Sequence, residues 1–230
     1  MNVTLDGAAL AAGAAAELEE ASAQEIIRWA SETFGDRLCM TSSMADALMV
    51  DLVSKVVPGI DVIFLDTGYH FAETLGTRDA VKAIYPINLV NVEPLRTVAE
   101  QDRDLGPRLH GRDPNICCHL RKVEPLKRAL EPYDAWLSGL RRADSTTRRD
   151  VGVVQWDKRK KMVKVNPIAR WSKEDVDSYM TEHGVLVNPL QYDGYPSIGC
   201  APCTRRVEEG ADPRSGRWAG TGKTECGIHL

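Results

Sequence analysis

The chain has 230 residues, of which 43% are hydrophobic and 27% charged, and its formal net charge is −4. This length suits one domain with at most a small appendage, and the apolar content is enough to fill its core. The negative balance argues against bulk binding to nucleic acid, and no apolar run is long enough to span a bilayer.

The lead-in, residues 1–22, is alanine-rich and acidic, the opposite of a secretory or transit peptide, and reads as helical or frayed. Glu25 to Phe34 places Ile26, Ile27, Trp29 and Ala30 at helical spacing and stops at Gly35. Arg37 to Ser42 is a short buried strand, and Ala45 to Val57 a helix ending at Pro58-Gly59. Ile60 to Leu65 is a β-branched apolar run of the kind buried on both faces of a parallel sheet. A helix from Phe71 to Ile84, a strand from Ile87 to Val92 and a helix starting near Pro94 follow. Cys117 to Leu130 reads as helical, with Pro125 a kink or restart. Ala135 to Leu140 is a strand running into an arginine-rich loop. Val151–Trp156 and Met162–Val165 form a hairpin, whose turn Lys158 to Lys161 is expected to be a solvated face. Ser172 caps a helix reaching His183, with Asp175 at the third position. Beyond Gly184 the chain is rich in Gly, Pro and Arg.

This alternation predicts an α/β fold: a doubly wound, mostly parallel sheet with helices on both faces, plus an irregular Gly/Arg-rich tail. Such sheets bind ligands at the carboxyl ends of their strands. Ser42 and Ser43 stand at one such end, just before a helix, where backbone N–H groups and hydroxyls can hold an anion. The loop lacks the glycines and lysine of a Walker motif. Asp66-Thr67-Gly68 resembles an aspartic-protease loop, but its flanking helices are foreign to those all-β folds; Asp66 reads as a strand-end residue near a nucleotide. The arginines after Gly139 and those of the tail, in the company of glycines, suit a small anion.

Cysteine placement carries the most chemistry. Cys117-Cys118 is answered by Cys200-x-x-Cys203, while Cys226 stands alone on the tail and Cys39 in an apolar strand. Six cysteines with no leader peptide point to a reducing, cytoplasmic setting and to metal or catalysis rather than disulfides. A four-thiolate iron–sulfur cluster fits this grouping best. Structural zinc, which prefers two C-x-x-C knuckles, and unligated buried thiols are the alternatives. Cys226 has the marks of an exposed reactive thiol, and Cys39 of a core residue. His70, His110, His119 and His183 lack ligand spacing, and Trp29, Trp136 and Trp171 read as core or sheet-edge aromatics.

Several motifs together resemble the assimilatory sulfonucleotide reductases, and within them the bacterial adenylyl-sulfate (APS) reductases. They are Cys117-Cys118-x-x-Arg121-Lys122, Gly139-Leu140-Arg141-Arg142, Gly194 to Thr204, Gly216-Arg217-Trp218 and Lys223-x-Glu225-Cys226-Gly227-Ile228-His229. They span residues 37 to the end. The resemblance implies an adenine nucleotide alpha hydrolase-like fold and a [4Fe-4S] cluster on Cys117, Cys118, Cys200 and Cys203. It makes Cys226 the nucleophile, with Lys122 beside cluster and substrate. Arg214, Arg217, His229 and one of Arg148/Arg149, here Arg148, would contact the phosphosulfate; Ser42 and Ser43 would lie in a degenerate phosphate loop, with Gly139 near the nucleotide. The implied organisation is a lead-in (1–22), a nucleotide-binding domain with the thiol site (23–204) and a mobile catalytic tail (205–230).

The chemistry suits these residues. A sulfonyl sulfur on a phosphate oxygen is electrophilic, and a thiolate is the right nucleophile. The resulting S-sulfocysteine needs a second thiol to expel sulfite. Cys226 has no resolving neighbour in sequence, so an external dithiol such as thioredoxin is implied. Self-association is left open. Three competing functions remain: a reductase of the 3′-phosphorylated nucleotide, a PP-loop thiolase, for which Ser42 to Asp46 lacks the glycine-rich loop, and a non-catalytic cluster-bearing nucleotide sensor.

Overall fold

The computed structural model describes residues 6–229. Its elements are α1 (Gly7–Glu17), α2 (Ala23–Phe34), β1 (Leu38–Thr41), α3 (Leu48–Val56), β2 (Asp61–Leu65), α4 (Ala72–Ile84), β3 (Asn88–Val92), α5 (Val98–Leu105), α6 (Leu109–Arg112), α7 (Pro114–Cys118), α8 (Glu124–Leu130), β4 (Ala135–Leu137), β5 (Val154–Asp157), β6 (Met162–Val165) and α9 (Lys173–His183). The strands form one sheet in the order β3-β2-β1-β4-β6-β5. Every pairing is parallel except that of edge strand β5 with β6. The chain winds outward from β1 to β3 and then returns to place β4 on the other side of β1. The order therefore reverses between β1 and β4, and a crevice opens at their carboxyl ends.

Side-chain alternation divides the sheet between two cores. Met40, Val62, Phe64, Leu137 and Val165 face one layer with α1, α2 and α3. Cys39, Ile63, Trp136 and Met162 face the other, under Leu126 and Leu130 of α8. Register sets Cys39 beside Trp136 and Trp136 beside Lys164. Lys164 is thereby carried into the α8 layer, where it is fully buried.

Capping decides several helix starts. The Ser22/Glu25, Thr97/Glu100 and Ser172/Asp175 pairs each satisfy two free N–H groups reciprocally. The helix expected from Ala45 begins only at Leu48. Met44 is left-handed (φ 56°), the Asp46 carboxylate accepts from Leu48 N, and Asp46 bridges to Val187. In the expected Cys117–Leu130 helix, five residues, His119–Val123, widen into a π turn. Pro125 explains this: it has no N–H for Arg121 O and its ring would press on that carbonyl. The lead-in is also ordered. α1 buries Ala11 and Ala14 against the sheet, and Gly7 lies so close to Trp156 that a Cβ would sit 2.4 Å from the ring.

Candidate active site

Three distant stretches wall one cavity. The first is the β2 exit, Thr67 to Tyr69. The second runs from α6 through the π turn. The third is the segment from Cys200 to Trp218. Cys117 and Cys118 end α7, whose first turn is capped by the Asp113 carboxylate. Cys200 and Cys203 flank a 3-10 turn that is tied to the β2 exit by Ala201 N donating to Tyr69 O (2.7 Å). All four thiols line the cavity, together with Tyr69, His110, Arg121, Lys122 and Trp218. The Thr67 hydroxyl lies 3.3 Å from Cys200 Sγ. Burial, reinforced by the neighbouring sulfurs, pushes Cys117 up to about 12 and Cys203 up to about 11. A cation shared among them would stabilise their thiolates against that burial.

Two cationic side chains abut the cavity from the π turn. Arg121 is buried and donates to Thr67 O, Arg96 O and the Gln101 side chain. Burial alone would lower the Lys122 ammonium, but Cys200, Cys226 and Cys118 together outweigh it and raise its pKa. Cys226 thus lies within electrostatic reach of Lys122 and of Arg217, where it also acts as a favourable neighbour.

The tail is docked, with residues 225–229 half-buried. Arg217 stacks on Trp218 with its guanidinium carbon 4.5 Å from the ring centre, and donates to Ser197 Oγ and Ile198 O. Its Nε is buried without a partner. Gly199 makes room for it: a Cβ there would meet Arg217 Nη2 at 2.3 Å. Gly216 is needed for a similar reason, since its Cβ would stand 2.3 Å from Arg205 O. Arg148 points inward and Arg149 outward; Arg148 and Arg214 both reach the Glu225 carboxylate. A cleft of about 440 Å³ opens between Pro114-Asn115, Thr147 and residues 221–225, a volume in the range of small-molecule sites.

Beyond Cys226, Ile228 packs into the α8 layer and His229 stacks on Trp136, with ring centres 5.6 Å apart and planes 7° apart. Lys164 Nζ lies 3.1 Å from His229 Nδ1, and Lys160 Nζ donates to Ile228 O (2.8 Å). Burial, with Lys160 adding to it, lowers Lys164 to about 7; burial and then Lys164 hold His229 well below its usual value.

The remaining sequence candidates stand at the strand-order reversal. Ser42 follows β1 with its hydroxyl accepting from Met44 N, and Ser43 is exposed. Gly139 follows β4, where a Cβ would meet Met49 at 2.9 Å. Among the described residues no hydrogen bond links these three to the tail. The arginines after Gly139 are engaged within the chain: Arg141 with Asp144, and Arg142 bidentately with Glu19. Asp66 is paired with Arg78.

Sequence reasoning missed several contributors. Thr67 and Tyr69 were hidden in an Asp-Thr-Gly match that pointed elsewhere. His110 had no ligand spacing. Lys160 belongs to a run expected to be solvated, yet Asp157 and Ile228 O hold it inward. Lys164 was missed too, because a lysine in the short run Met162 to Val165 reads as an ordinary strand residue.

Comparison with known proteins identifies relatives over nearly the whole chain. The family description Phosphoadenosine phosphosulfate reductase domain matches residues 37–206. The adenosine 5'-phosphosulfate reductase of Streptomyces coelicolor is 62% identical over 96% of this chain and 94% of its own length. That of Mycolicibacterium smegmatis is 58% identical over the same shares. Among solved structures, phosphoadenylyl-sulfate reductase from Candida auris, in a phosphate complex, superposes with a TM-score of 0.73 at 29% identity, covering 85% of this chain and 96% of that one.

Proposed function

The chain belongs to the phosphoadenosine phosphosulfate reductase family, and on that premise we propose how its own residues carry out the reaction. The protein is an oxidoreductase that reduces adenosine 5'-phosphosulfate to sulfite and AMP. The observation that carries the assignment of roles is that four thiols and Lys122 line one cavity, with Arg217 and Cys226 within electrostatic reach of Lys122.

The donor set fits a [4Fe-4S] cluster held by Cys117, Cys118, Cys200 and Cys203. One zinc would draw its sulfurs within about 2.3 Å, whereas a cluster spreads four thiolates over separate irons. When bound, the cluster supplies a compact charged centre beside Lys122 and is not required to pass electrons.

Cys226 acts as the nucleophile. Its thiolate attacks the sulfonyl sulfur, the S–O bond to the phosphate breaks, and AMP leaves with the electron pair. Arg148, Arg214 and Arg217 take the phosphosulfate through charge-assisted contacts that strengthen as charge gathers on the phosphate, and Lys122 and His229 border the same group. Ser42, Ser43 and Gly139, at the reversal of strand order, receive the nucleotide. The Cys226 S-sulfo adduct is then attacked by an external dithiol, thioredoxin, which expels sulfite and is oxidised to its disulfide. A tail that can leave its dock serves both half-reactions, because one sulfur must meet the nucleotide and then the partner.

A single turnover separates the halves. Enzyme mixed with adenosine 5'-phosphosulfate and no thiol should release one AMP per site and gain one SO3 group, mapped to Cys226. Thioredoxin should then release sulfite. An AMP burst that survives Cys226→Ser, or an adduct on Cys39, would overturn the mechanism.

A further inference from the structure

Glu225 is the residue immediately before the nucleophile, and its carboxylate occupies a built anion site. Arg148 grips it as a fork, Nε to Oε1 at 2.9 Å and Nη2 to Oε2 at 3.0 Å. Arg214 Nη2 closes on Oε2 at 3.2 Å and also donates to Thr224 O. The carboxylate is 9% exposed, and the two guanidiniums 14% and 18%. A fork-to-fork pair with a second guanidinium is the arrangement that recognises carboxylate and phosphate alike. These are two of the three arginines assigned above to the substrate's phosphosulfate.

Charge makes the double use specific. Asp144 pairs with both Arg141 and Arg148, so three guanidiniums face two carboxylates while Glu225 is docked. With Glu225 gone, three guanidiniums face one carboxylate. The positive charge that this leaves uncompensated on Arg148 and Arg214 suits a dianionic phosphosulfate. Substrate and Glu225 cannot both hold Arg148 by the same fork, and a carboxylate left beside a bound phosphosulfate would repel it.

We infer that Glu225 is a positioning residue that holds the substrate's anion site in the empty enzyme, so that binding of the phosphosulfate at Arg148 and Arg214 expels Glu225 and frees Cys226 beside it. This rests on the reading that those arginines bind substrate. The exchange couples two events that the reaction needs together: the nucleotide arrives, and the thiol one residue along is released from its docked position. It also keeps the arginines paired between turnovers. The tethered carboxylate competes at high effective concentration, and the apparent affinity for substrate falls by the fraction of chains in which the site is open.

The test uses cluster-loaded protein in a Cys226→Ser background, so that adenosine 5'-phosphosulfate binds without reacting. Calorimetric titration of Glu225→Gln should show substrate bound roughly three- to tenfold more tightly than with Glu225 present, and Glu225→Asp should return affinity toward the parent value. In the turnover assay with Cys226 intact, Glu225→Gln should lower KM without raising kcat. Trypsin gives an independent view of the tail: saturating substrate should speed cleavage after Lys223 in the parent, and Glu225→Gln should be cut fast without substrate. Unchanged or weaker binding in Glu225→Gln, while Arg214→Ala still weakens binding, overturns the exchange and leaves the arginine assignment standing. Undiminished binding in Arg214→Ala overturns both.

Discussion

Gly199 and Arg217 act as one unit, because the guanidinium lies where a side chain at 199 would begin. Gly199→Ala should swing Arg217 away at little cost to folding, since a flexible side chain can yield. Losing its charge-assisted contact costs roughly 1.5–3 kcal/mol, about a tenfold to hundredfold fall in kcat/KM. Arg217→Ala should give a similar fall, and the double variant no more than either single one. Additive losses, or full activity in Gly199→Ala, would sever the link. The tail's terminal histidine gives a pH prediction. His229 is buried among Lys164, Arg148, Lys160 and Arg214, and its pKa is depressed, so the docked tail holds it neutral. Released, it titrates near 6.5. Protonation therefore favours the released tail as pH falls below about 6.5, and docking is at full strength above that value. Alkylation of Cys226 by a neutral reagent, corrected for its thiolate fraction, should accelerate between pH 7.5 and 5.5. In His229→Asn, which keeps an amide in place of the ring, the acceleration should shrink to what Lys164, lowered to about 7, contributes alone.

The helix carrying the first thiol pair and the short turn carrying the second are positioned by different devices: α7 by the Asp113 cap and the π turn beyond it, the second pair by a hydrogen bond to Tyr69 O. Serine at Cys117, Cys118, Cys200 or Cys203 should bleach anaerobically purified protein. Cys39→Ser should leave its colour, because Cys39 lies in the sheet and away from the cavity. Stoichiometric zinc without iron in the parent protein would refute the cluster. α1 offers a separate test of stability. Ala11, Ala14 and Leu18 are buried, and Glu19 just past the helix pins Arg142. Deleting residues 1–20 removes roughly 2–4 kcal/mol of burial, and should lower Tm by about 5–15 °C in a domain of this size. A shift of under two degrees would mean that the helix merely rests on the sheet.

The parallel sheet was legible in the sequence because Val62 to Leu65 and Ala135 to Leu137 are uninterrupted apolar runs, whereas the order of its strands was not. The thiol grouping, Cys226 and the arginines of the tail were legible from residue type and spacing. The contacts of Lys160, Lys164 and Trp136 with Ile228 and His229 were not, because they join strands to a tail more than sixty residues away, and no local pattern encodes such a meeting. The π turn escaped notice for a subtler reason: Pro125 signals a break, but not which way the helix yields. For the molecule as a catalyst, kcat/KM under equal thioredoxin supply should favour adenosine 5'-phosphosulfate over its 3'-phosphorylated form, and a clear reversal would move the chain to the sister activity. The walls of the thiol cavity also bear on how the protein is made. β6 ends at Val165, whereas Cys200, Cys203 and Trp218 come later. Synthesis proceeds from the amino end and folding follows it, so the strands are complete before the second thiol pair leaves the ribosome. If the proposed cluster is held there, its loading would be a step separate from formation of the sheet.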